Sequence, residues 1–333
     1  MIYKMKDSYP RASLARFCWL FGITRQAYYQ HFMRAETTSI EEEFIIKEVL
    51  RVRENHRRMG GRKLYELLEP FMLEHGIKMG RDALFDLLSA HNLLIRHKRR
   101  RIYTTNSFHR FHKYPNLIRG MALTLPNQLW VSDITYFKAK SDDLYISLVT
   151  DAYSHKIVGY HIADTMQAIE SQKALAMALK GMNSASSQLI HHSDRGSQYC
   201  CAAYVKMLQE KGVAISMTES GDPLENPVAE RVNGIIKQEY MDFYAVKNLA
   251  EAERYLENAV SLYNTERPHL SLGMLKPENV HKNSLKVENL WKKNKKVIPA
   301  QQAASPVDWG AAAGQNNFSP NEQRTNIVNQ YQD

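Results

Sequence analysis

Apolar residues near the start of the chain recur at helical spacing. Over residues 13–32 they stand three or four positions apart, with Gly22 between two runs, which predicts a helix-turn-helix segment. The second helix is predicted to begin after Thr24 as its N-cap and to present Arg25 where a basic side chain can reach a phosphate. An ordinary helical hairpin without a DNA-binding role is the alternative interpretation.

A second set of helical patterns follows, separated by turns that contain glycine. The patterns cover residues 38–53, 62–69 and 81–90. Gly61 and Gly80 each stand where a helix begins beside a basic side chain, and backbone N–H groups at a helix start favour phosphate contact. The sequence therefore predicts a second helical DNA-binding region at residues 36–95, in which Arg62 and Lys63 contact DNA.

From residue 127 the pattern changes to short runs rich in Val, Ile, Tyr and Thr, with polar turns between them. The predicted strands cover residues 128–139, 144–151, 155–163, 188–192 and 213–216, and the predicted helices cover 166–182, 197–211, 227–240 and 249–262. This order predicts an α/β fold with a mixed five-stranded sheet, preceded by an all-α region. The polar tail after residue 298 is predicted to be disordered.

These changes of pattern divide the chain into five segments. They are a helix-turn-helix segment at 1–35, a second helical region at 36–95, a basic linker at 96–126, an α/β core at 127–281 and a C-terminal tail at 282–333. The chain of 333 residues is long enough for more than one domain.

Positive charge is concentrated at the front of the chain. The net charge is +9, but residues 1–120 alone carry +11 and the remainder carries −2. A polyanion is the partner that such a region favours, since each phosphate neutralised by Lys or Arg releases counterions; a role in solubility alone is the alternative. In the linker, Arg99, Arg100 and Arg101 are predicted to contact DNA, unless the run is only a solvated linker.

Two classes of protein are not supported by the composition. No stretch approaches the ~20 apolar residues that a membrane-spanning helix requires, and no signal peptide is evident at the N-terminus, so a cytoplasmic protein with no membrane partner is expected. Cys18, Cys200 and Cys201 form no CxxC pair, which argues against a disulfide framework or a zinc site.

Three acidic residues stand where strand and helix ends are predicted to converge. Asp133 lies inside an apolar strand, Asp194 directly follows another strand, and Glu230 lies one turn into a helix that begins at Asn226 as N-cap with Pro227 as its first residue. A buried carboxylate needs a cationic partner. Hard oxygen ligands suit Mg²⁺, and two such ions about 4 Å apart support an in-line displacement at phosphorus.

Each acid taken alone has an ordinary structural interpretation, and several other polar residues are more ambiguous. Asp151 follows its strand but opens a hairpin turn, which favours a structural role. His191 and His192 are successive strand residues that face opposite sides, so they do not easily bind one ion. Arg267 and His269 either contact DNA or pack against the edge of the core.

The spacing of the last two acids and the basic residue after them resembles that of a known protein family. Asp194 and Glu230 are separated by 35 residues, and Lys237 follows seven residues after Glu230 on the same helical face. This arrangement resembles the DDE transposases and integrases, and more narrowly the insertion-sequence transposases related to retroviral integrases. Four motifs carry the resemblance over roughly residues 14–280: WVSDITY at 130–136, HSDRGSQY at 192–199, ENPVAE at 225–230 and YNTERPH at 263–269.

The resemblance implies an RNase H-like catalytic core that depends on two Mg²⁺ or Mn²⁺ ions per active site. It further implies cleavage at transposon ends and strand transfer by the freed 3′-hydroxyl, with double-stranded DNA as the partner, both as terminal inverted repeats and as target. Asp133, Asp194 and Glu230 correspond to the metal ligands, and Lys237 corresponds to a DNA contact. A homo-oligomer is expected, because one active site cannot hold two transposon ends.

The chain departs from the family pattern in two respects. The family usually has Asp and Ala on either side of Asn226, where this chain has Glu225 and Pro227; proline suits the start of a helix. The His/Cys zinc module of retroviral integrases has no counterpart, and the helical segments would take over its DNA-binding role. Asn226 stays open as a site residue. A sequence-specific DNA-binding regulator with an inactive core, and a nuclease that only hydrolyses, are the alternative functions.

Overall fold

Helices precede the first strand in the computed structural model, which describes residues 2–95, 110–140, 143–182, 188–219 and 225–287. All of these residues belong to one compact unit. The helices of the N-terminal part are α1 Ile2–Ser8, α2 Leu14–Leu20, α3 Arg25–Asn55, α4 Gly61–Glu74 and α5 Arg81–Ala90. Within the described ranges, no helix combines the length and the apolar character needed to cross a membrane.

The first turn between helices forms as the sequence predicts. Gly22 adopts a positive φ of 65°, a conformation that glycine tolerates without steric cost, and this residue separates α2 from α3. The Thr24 hydroxyl accepts a hydrogen bond of 3.0 Å from the backbone N–H of Ala27, so Thr24 is the N-cap of α3. The predicted helix, turn and helix are therefore confirmed.

Helix α3 corrects the predicted segmentation. The sequence predicts one helix ending near residue 32 and another beginning at residue 38, but α3 continues without a break from Arg25 to Asn55. No glycine or proline interrupts this stretch, so nothing in the backbone chemistry ends the helix. The predicted boundary between segments 1–35 and 36–95 therefore falls inside one helix.

The C-terminal half of α3 packs with α4 and α5 around an apolar cluster of its own. Helices α4 and α5 begin at Gly61 and Arg81, as the glycine positions predict. A Cβ on Gly61 would lie 2.6 Å from the ring of Phe85, so the two helices approach closely at this point. The buried members of the cluster are Ile45, Val49, Leu64, Leu68, Met72, Ile77, Leu84, Leu87 and Leu88.

The predicted mixed five-stranded sheet is confirmed. Its strands are β1 Leu129–Lys138, β2 Asp143–Asp151, β3 Ile157–Ala163, β4 Ile190–Ser193 and β5 Ala214–Met217. They lie in the order β3-β2-β1-β4-β5, with β1, β2 and β3 antiparallel and with β4 parallel to both β1 and β5. Strand β1 is therefore central, and its neighbour β4 ends at Ser193, whereas β1 continues to Lys138.

Two layers of helices cover the sheet. Trp130 and Ile134 of β1 pack with α6 and α8, whereas Phe137 packs with α9 and α10, because successive strand residues point to opposite faces. The remaining helices are α6 Ala168–Lys180, α7 Ser197–Cys200, α8 Ala202–Glu210, α9 Pro227–Ile235, α10 Leu249–Thr265 and α11 Pro277–Asn283.

Two predicted helices are corrected in this part of the chain. The helix predicted at 197–211 is divided at Cys201, whose extended backbone separates α7 from α8. The helix predicted at 227–240 ends its α-helical part at Ile235 and continues as a π-helical turn, Ile236–Met241. We call this segment the π-turn.

Candidate active site

The sheet register brings the first two acidic residues together. Strands β1 and β4 are parallel, with Val131 opposite His192. Asp133 follows Val131 by two residues in β1, and Asp194 follows His192 by two residues, directly after β4 ends at Ser193. The negative charge of Asp194 raises the pKa of Asp133, so the two carboxylates lie near each other although 60 residues separate them in the chain.

Asp133 is half-buried in an electrostatically unfavourable position for a carboxylate. Its Oδ1 accepts a hydrogen bond of 2.9 Å from the backbone N–H of Ile134. Burial, followed by the negative charge of Asp194 and a smaller contribution from Glu230, raises the pKa of Asp133 to about 7. The three acids thus share one electrostatic environment, and a bound cation would relieve the repulsion between them.

The turn after β4 orients Asp194. Its Oδ1 accepts a hydrogen bond of 2.9 Å from the backbone N–H of Gly196, two residues later. A Cβ on Gly196 would lie 2.4 Å from the side-chain amide of Gln198, so a larger residue here would require that side chain to shift. The DRGS motif therefore holds the carboxylate in place through its own backbone.

Glu230 lies in the first turn of α9, with its side chain exposed. Pro227 is at the start of the helix, as predicted. Asn226 occupies the N-cap position, but its side chain makes no capping hydrogen bond. Instead its Nδ2 donates to the backbone carbonyl of Ser132 at 3.0 Å, which ties the start of α9 to β1 beside Asp133. The predicted capping role of this side chain is therefore corrected.

Asn233 is a site residue that sequence reasoning did not select. Its Nδ2 donates a hydrogen bond of 2.8 Å to Oδ2 of Asp133, and this bond opposes the rise in the carboxyl pKa. Asn233 is buried and lies three residues after Glu230 on the same face of α9. Its position three residues after Glu230 could have indicated that Asn233 faces the site. Only the packing of α9 on β1 shows that its hydrogen-bond partner is Asp133.

Lys237 lies in the π-turn and is directed toward β1. Its ammonium group donates a hydrogen bond to the backbone carbonyl of Tyr136 and lies 5.4 Å from the centre of the Tyr136 ring. The side chain is half-buried. Lys237 thus contacts β1, the strand that carries Asp133. Its predicted contact with DNA stays a prediction.

The predicted DNA contacts in the helical region have different environments. Arg25 and Arg62 are exposed on α3 and α4. Lys63 is only 12% exposed, with its Nζ 4.0 Å from Glu239, and burial lowers its pKa to about 8. This placement does not support a phosphate contact for Lys63. The predicted contacts Arg99, Arg100 and Arg101 lie outside the described residues.

Arg267 and His269 are both buried, which favours the packing alternative over a contact with DNA. Arg267 is fully buried and binds both carboxylate oxygens of Glu239, at 2.8 and 2.7 Å. His269 is buried as well, and its Nε2 lies 3.0 Å from Nη1 of Arg267. Neither side chain is positioned to reach DNA.

Asp151 and the two histidines also have structural partners. Asp151 is buried and accepts hydrogen bonds from the backbone N–H groups of Asn127 and Ser154, at 2.6 and 2.7 Å, as a turn-closing residue does. His191 contacts Ser132, and His192 contacts Ser216. These residues therefore form part of the scaffold that surrounds the acids.

The donor set fits a divalent ion that is only partly held by protein. In the described part of the chain, no three acidic, histidine or cysteine side chains form a ready-made metal cluster. Mg²⁺ commonly uses one or two carboxylates and completes its shell with water and substrate phosphates, so a closed cage is not required. Asp133 and Asp194, together with the exposed Glu230, supply hard oxygen donors of the appropriate kind.

Comparisons with known proteins agree with the geometry. Two family models, both described as integrase core domain, match residues 124–223 and 211–277. The uncharacterized 31 kDa protein of insertion element IS600 from Shigella sonnei is 33% identical over 262 residues, which cover 78% of this chain and 95% of that protein. The transposase for insertion sequence element IS629, also from Shigella sonnei, is 29% identical over 85% of this chain and 95% of its own length.

Among solved structures, the catalytic core domain of HTLV-2 integrase in complex with magnesium aligns with 47% of this chain and 97% of its own length. The identity is 17% and the TM-score is 0.38. The family matches and the IS600 relative define the class, that of proteins with an integrase core domain. This chain belongs to the insertion-sequence transposases of that class, as the resemblance implied.

Proposed function

We propose that this chain cleaves DNA at the ends of its insertion sequence and joins the freed 3′-hydroxyl to target DNA. The observation that carries the proposal is the pair Asp133 and Asp194. Val131 and His192 pair across parallel strands two residues before these acids, and burial and the charge of Asp194 raise the pKa of Asp133, which supports a shared site. A pair of neighbouring carboxylates, one inside β1 and one directly after β4, favours binding of divalent cations.

Asp133, Asp194 and Glu230 would hold two Mg²⁺ or Mn²⁺ ions. When bound, such ions activate an attacking oxygen and stabilise the leaving oxygen in an in-line displacement at phosphorus. Asp133 has the central position, because it neighbours Asp194 through the sheet and is linked to α9 through Asn233. Asn233 orients this carboxylate, and the exposed Glu230 completes the donor set from the helix.

The DNA partner would be bound mainly by the basic side chains outside the acidic site. Arg25 and Arg62 are exposed at the starts of α3 and α4, and Lys237 contacts Tyr136 of β1, the strand that carries Asp133. The terminal inverted repeats and the target DNA are the proposed ligands. We further propose that the active form is an oligomer that pairs two ends, acting on bacterial DNA in the cytoplasm.

The test is strand transfer of a labelled duplex copied from the DNA end that flanks the gene. We expect the parental protein to join this end to a target in Mg²⁺ and to lose the reaction when a chelator is added. Glu230→Gln should slow joining by about 10²-fold or more, the scale expected when a group that stabilises transition-state charge is removed. Joining at the parental rate would refute the assignment of Glu230.

The same assay separates the alternatives. A nuclease would release the labelled end without joining it, and a regulator with an inactive core would bind the duplex without cutting it. The regulator is not favoured, because all three acids are retained and share one electrostatic environment.

A further inference from the structure

A group of polar side chains connects the N-terminal helices to the π-turn that continues α9 and to the end of α10. The apolar residues of α3 to α5 pack in their own cluster, so the contacts that cross to α10 and the π-turn involve polar and aromatic groups. His56 bridges the Tyr240 hydroxyl, at 3.1 Å, and the Glu266 carboxylate, at 3.0 Å. We define the polar junction as His56, Lys63, Glu239, Tyr240, Glu266 and Arg267.

Glu239 is the central member of the polar junction. Its two oxygens accept the paired hydrogen bonds from Arg267, which is 1% exposed, and Lys63 approaches Oε1 from α4. Burial alone would raise the pKa of Glu239, but the guanidinium of Arg267 outweighs it and holds this pKa below its usual value. The two-pronged pairing restricts both distance and direction, so Glu239 has one defined orientation.

The location of Glu239 connects this ion pair to the acids. Glu239 lies in the π-turn, which directly continues α9, the helix that carries Glu230 and Asn233. Lys237 anchors the same turn to β1 through the Tyr136 carbonyl. The π-turn is thus held from two sides, and π-helical turns are rare conformations that are frequent at functional sites.

The junction also reaches the surface that is predicted to bind DNA. Arg62, the exposed residue at the start of α4, is adjacent in sequence to Lys63, which belongs to the junction. Lys63, Arg231 and Arg267 all lie close enough to influence the charge of Glu239. A phosphate held at the start of α4 would restrict that end of the helix and therefore the position of Lys63.

We propose that Glu239 is a positioning residue that links DNA binding at α4 to the placement of α9, through its ion pairs with Lys63 and Arg267. The inference rests on the proposed function, because the helix that it positions carries Glu230. Glu239 itself does not contact the acids, so it acts through the backbone of the π-turn. DNA binding at the start of α4 would thereby order α9, the helix that carries Glu230.

The first test is amide hydrogen exchange on the full chain, without divalent ions. The probe is the duplex copied from the DNA end that flanks the gene. In the parental protein we expect this duplex to slow exchange of the segment 227–241 by about tenfold, a change in local opening. In Glu239→Gln the duplex should still bind with an affinity within about threefold of parental, since other contacts supply that affinity, but the added protection should be lost.

Glu278→Gln is the matched control. Glu278 and Glu239 have equally exposed side chains, at 17%, and each pairs with a lysine and a second cation. Glu278 lies on α11 and pairs with Lys156 and Lys282, not with the catalytic helix. This variant should retain the DNA-dependent protection of the segment 227–241. Equal protection in Glu239→Gln and Glu278→Gln would overturn the proposal, as would no effect of DNA on the parental protein.

Lys63→Met keeps the ion pair between Glu239 and Arg267. We therefore expect this variant to fold even if Glu239→Gln does not. It should lose most of the DNA-dependent protection, and Lys63→Arg should restore it. Protection at the parental level in Lys63→Met would overturn the link through α4. Because exchange is measured without strand transfer, these outcomes do not depend on whether the proposed reaction occurs.

A second readout uses strand transfer at saturating DNA and Mg²⁺. Glu239→Gln should lower the single-turnover rate constant by about 10- to 100-fold, the scale of a misplaced catalytic group, with little change in the DNA concentration at half-saturation. Glu278→Gln should stay within about twofold of parental, since it moves no group near the acids. If both variants lose rate to the same extent, Glu239 has only a structural role.

Discussion

The N-terminal helices and the catalytic core use charge in opposite ways. In α3 to α5 the buried residues are almost all apolar, and basic side chains such as Arg25 and Arg62 are exposed. The core holds ionisable groups away from water, with the Arg267 guanidinium fully buried and the Asp133 carboxyl half-buried. Exposed charges contribute mainly to encounter with a polyanion, whereas buried charges define geometry. The difference teaches which substitutions should affect stability and which should affect binding.

The largest effect on stability is expected from a buried charge of the core. Arg267→Ala leaves the largely buried Glu239 without its paired hydrogen bonds and with only weaker interactions from Lys63 and Arg231 among the described residues, so the free energy of unfolding should fall by about 3 to 5 kcal/mol. Chemical denaturation measures this. In the helical region, Lys47 pairs with Glu43, and both side chains are about two-thirds exposed. Lys47→Ala should cost less than about 1 kcal/mol. Similar losses in both variants would remove the contrast.

Adding a methyl group at a closely packed glycine should also destabilise the catalytic core more than the N-terminal helices. A Cβ on Gly159 of β3 would lie 2.1 Å from the backbone carbonyl oxygen of Ala174, which cannot move without shifting α6. Gly159→Ala should therefore lower the free energy of unfolding by roughly 1 to 3 kcal/mol or more. Gly61→Ala meets only the ring of Phe85, which can rotate, and gains helix propensity.

Thermal unfolding of the two glycine variants checks this comparison. We expect Gly61→Ala to change stability by less than about 1 kcal/mol, because the two effects oppose each other. A larger loss for Gly61→Ala than for Gly159→Ala would show that the helical region is the more tightly packed of the two.

The third prediction concerns pH. The folded-state pKa of Asp133 is raised from 3.8 to about 7, so between these values the folded protein holds a proton that the unfolded chain releases. The contribution of Asp133 to stability is therefore present at low pH and is lost as pH rises toward 7. At pH 8 without divalent ions, Asp133→Asn should be more stable than the parental protein by roughly 1 to 3 kcal/mol.

Unfolding curves across the pH range, with and without Mg²⁺, test this expectation. Added Mg²⁺ should stabilise the parental protein but not Asp133→Asn. The exposed Asp86 of α5 provides the control from the helical region, and Asp86→Asn should match the parental protein in both conditions. An Asp133→Asn variant that is no more stable at pH 8 would contradict the raised pKa.

The smallest effect is expected in DNA binding. Arg62→Ala should weaken affinity for the duplex several-fold and reduce the slope of log K against log salt by about 1, as expected for one lost phosphate contact. Lys63→Ala should leave this slope unchanged, because its ammonium group faces Glu239. Fluorescence anisotropy over a range of salt concentrations measures both. If Lys63→Ala reduces the slope as much as Arg62→Ala does, Lys63 contacts a DNA phosphate.

Local patterns in the chain predicted most of the fold. Alternating Val, Ile and Tyr predicted the strands, and the glycines predicted where α4 and α5 begin, because these preferences depend on the nearest neighbours along the backbone. The same patterns gave no indication that α3 is continuous or that a π-turn follows α9. Such features depend on contacts with distant residues, including Tyr240 with His56.

The order of the elements and the motifs that carry the three acids can be read along the chain, since hydrophobic period, turn chemistry and motif spacing are local properties. The hydrogen bond from Asn233 to Asp133 and the pairing of Arg267 with Glu239 emerge from the folded arrangement alone. A polar side chain must find a partner when packing removes it from water, and packing between distant segments selects that partner.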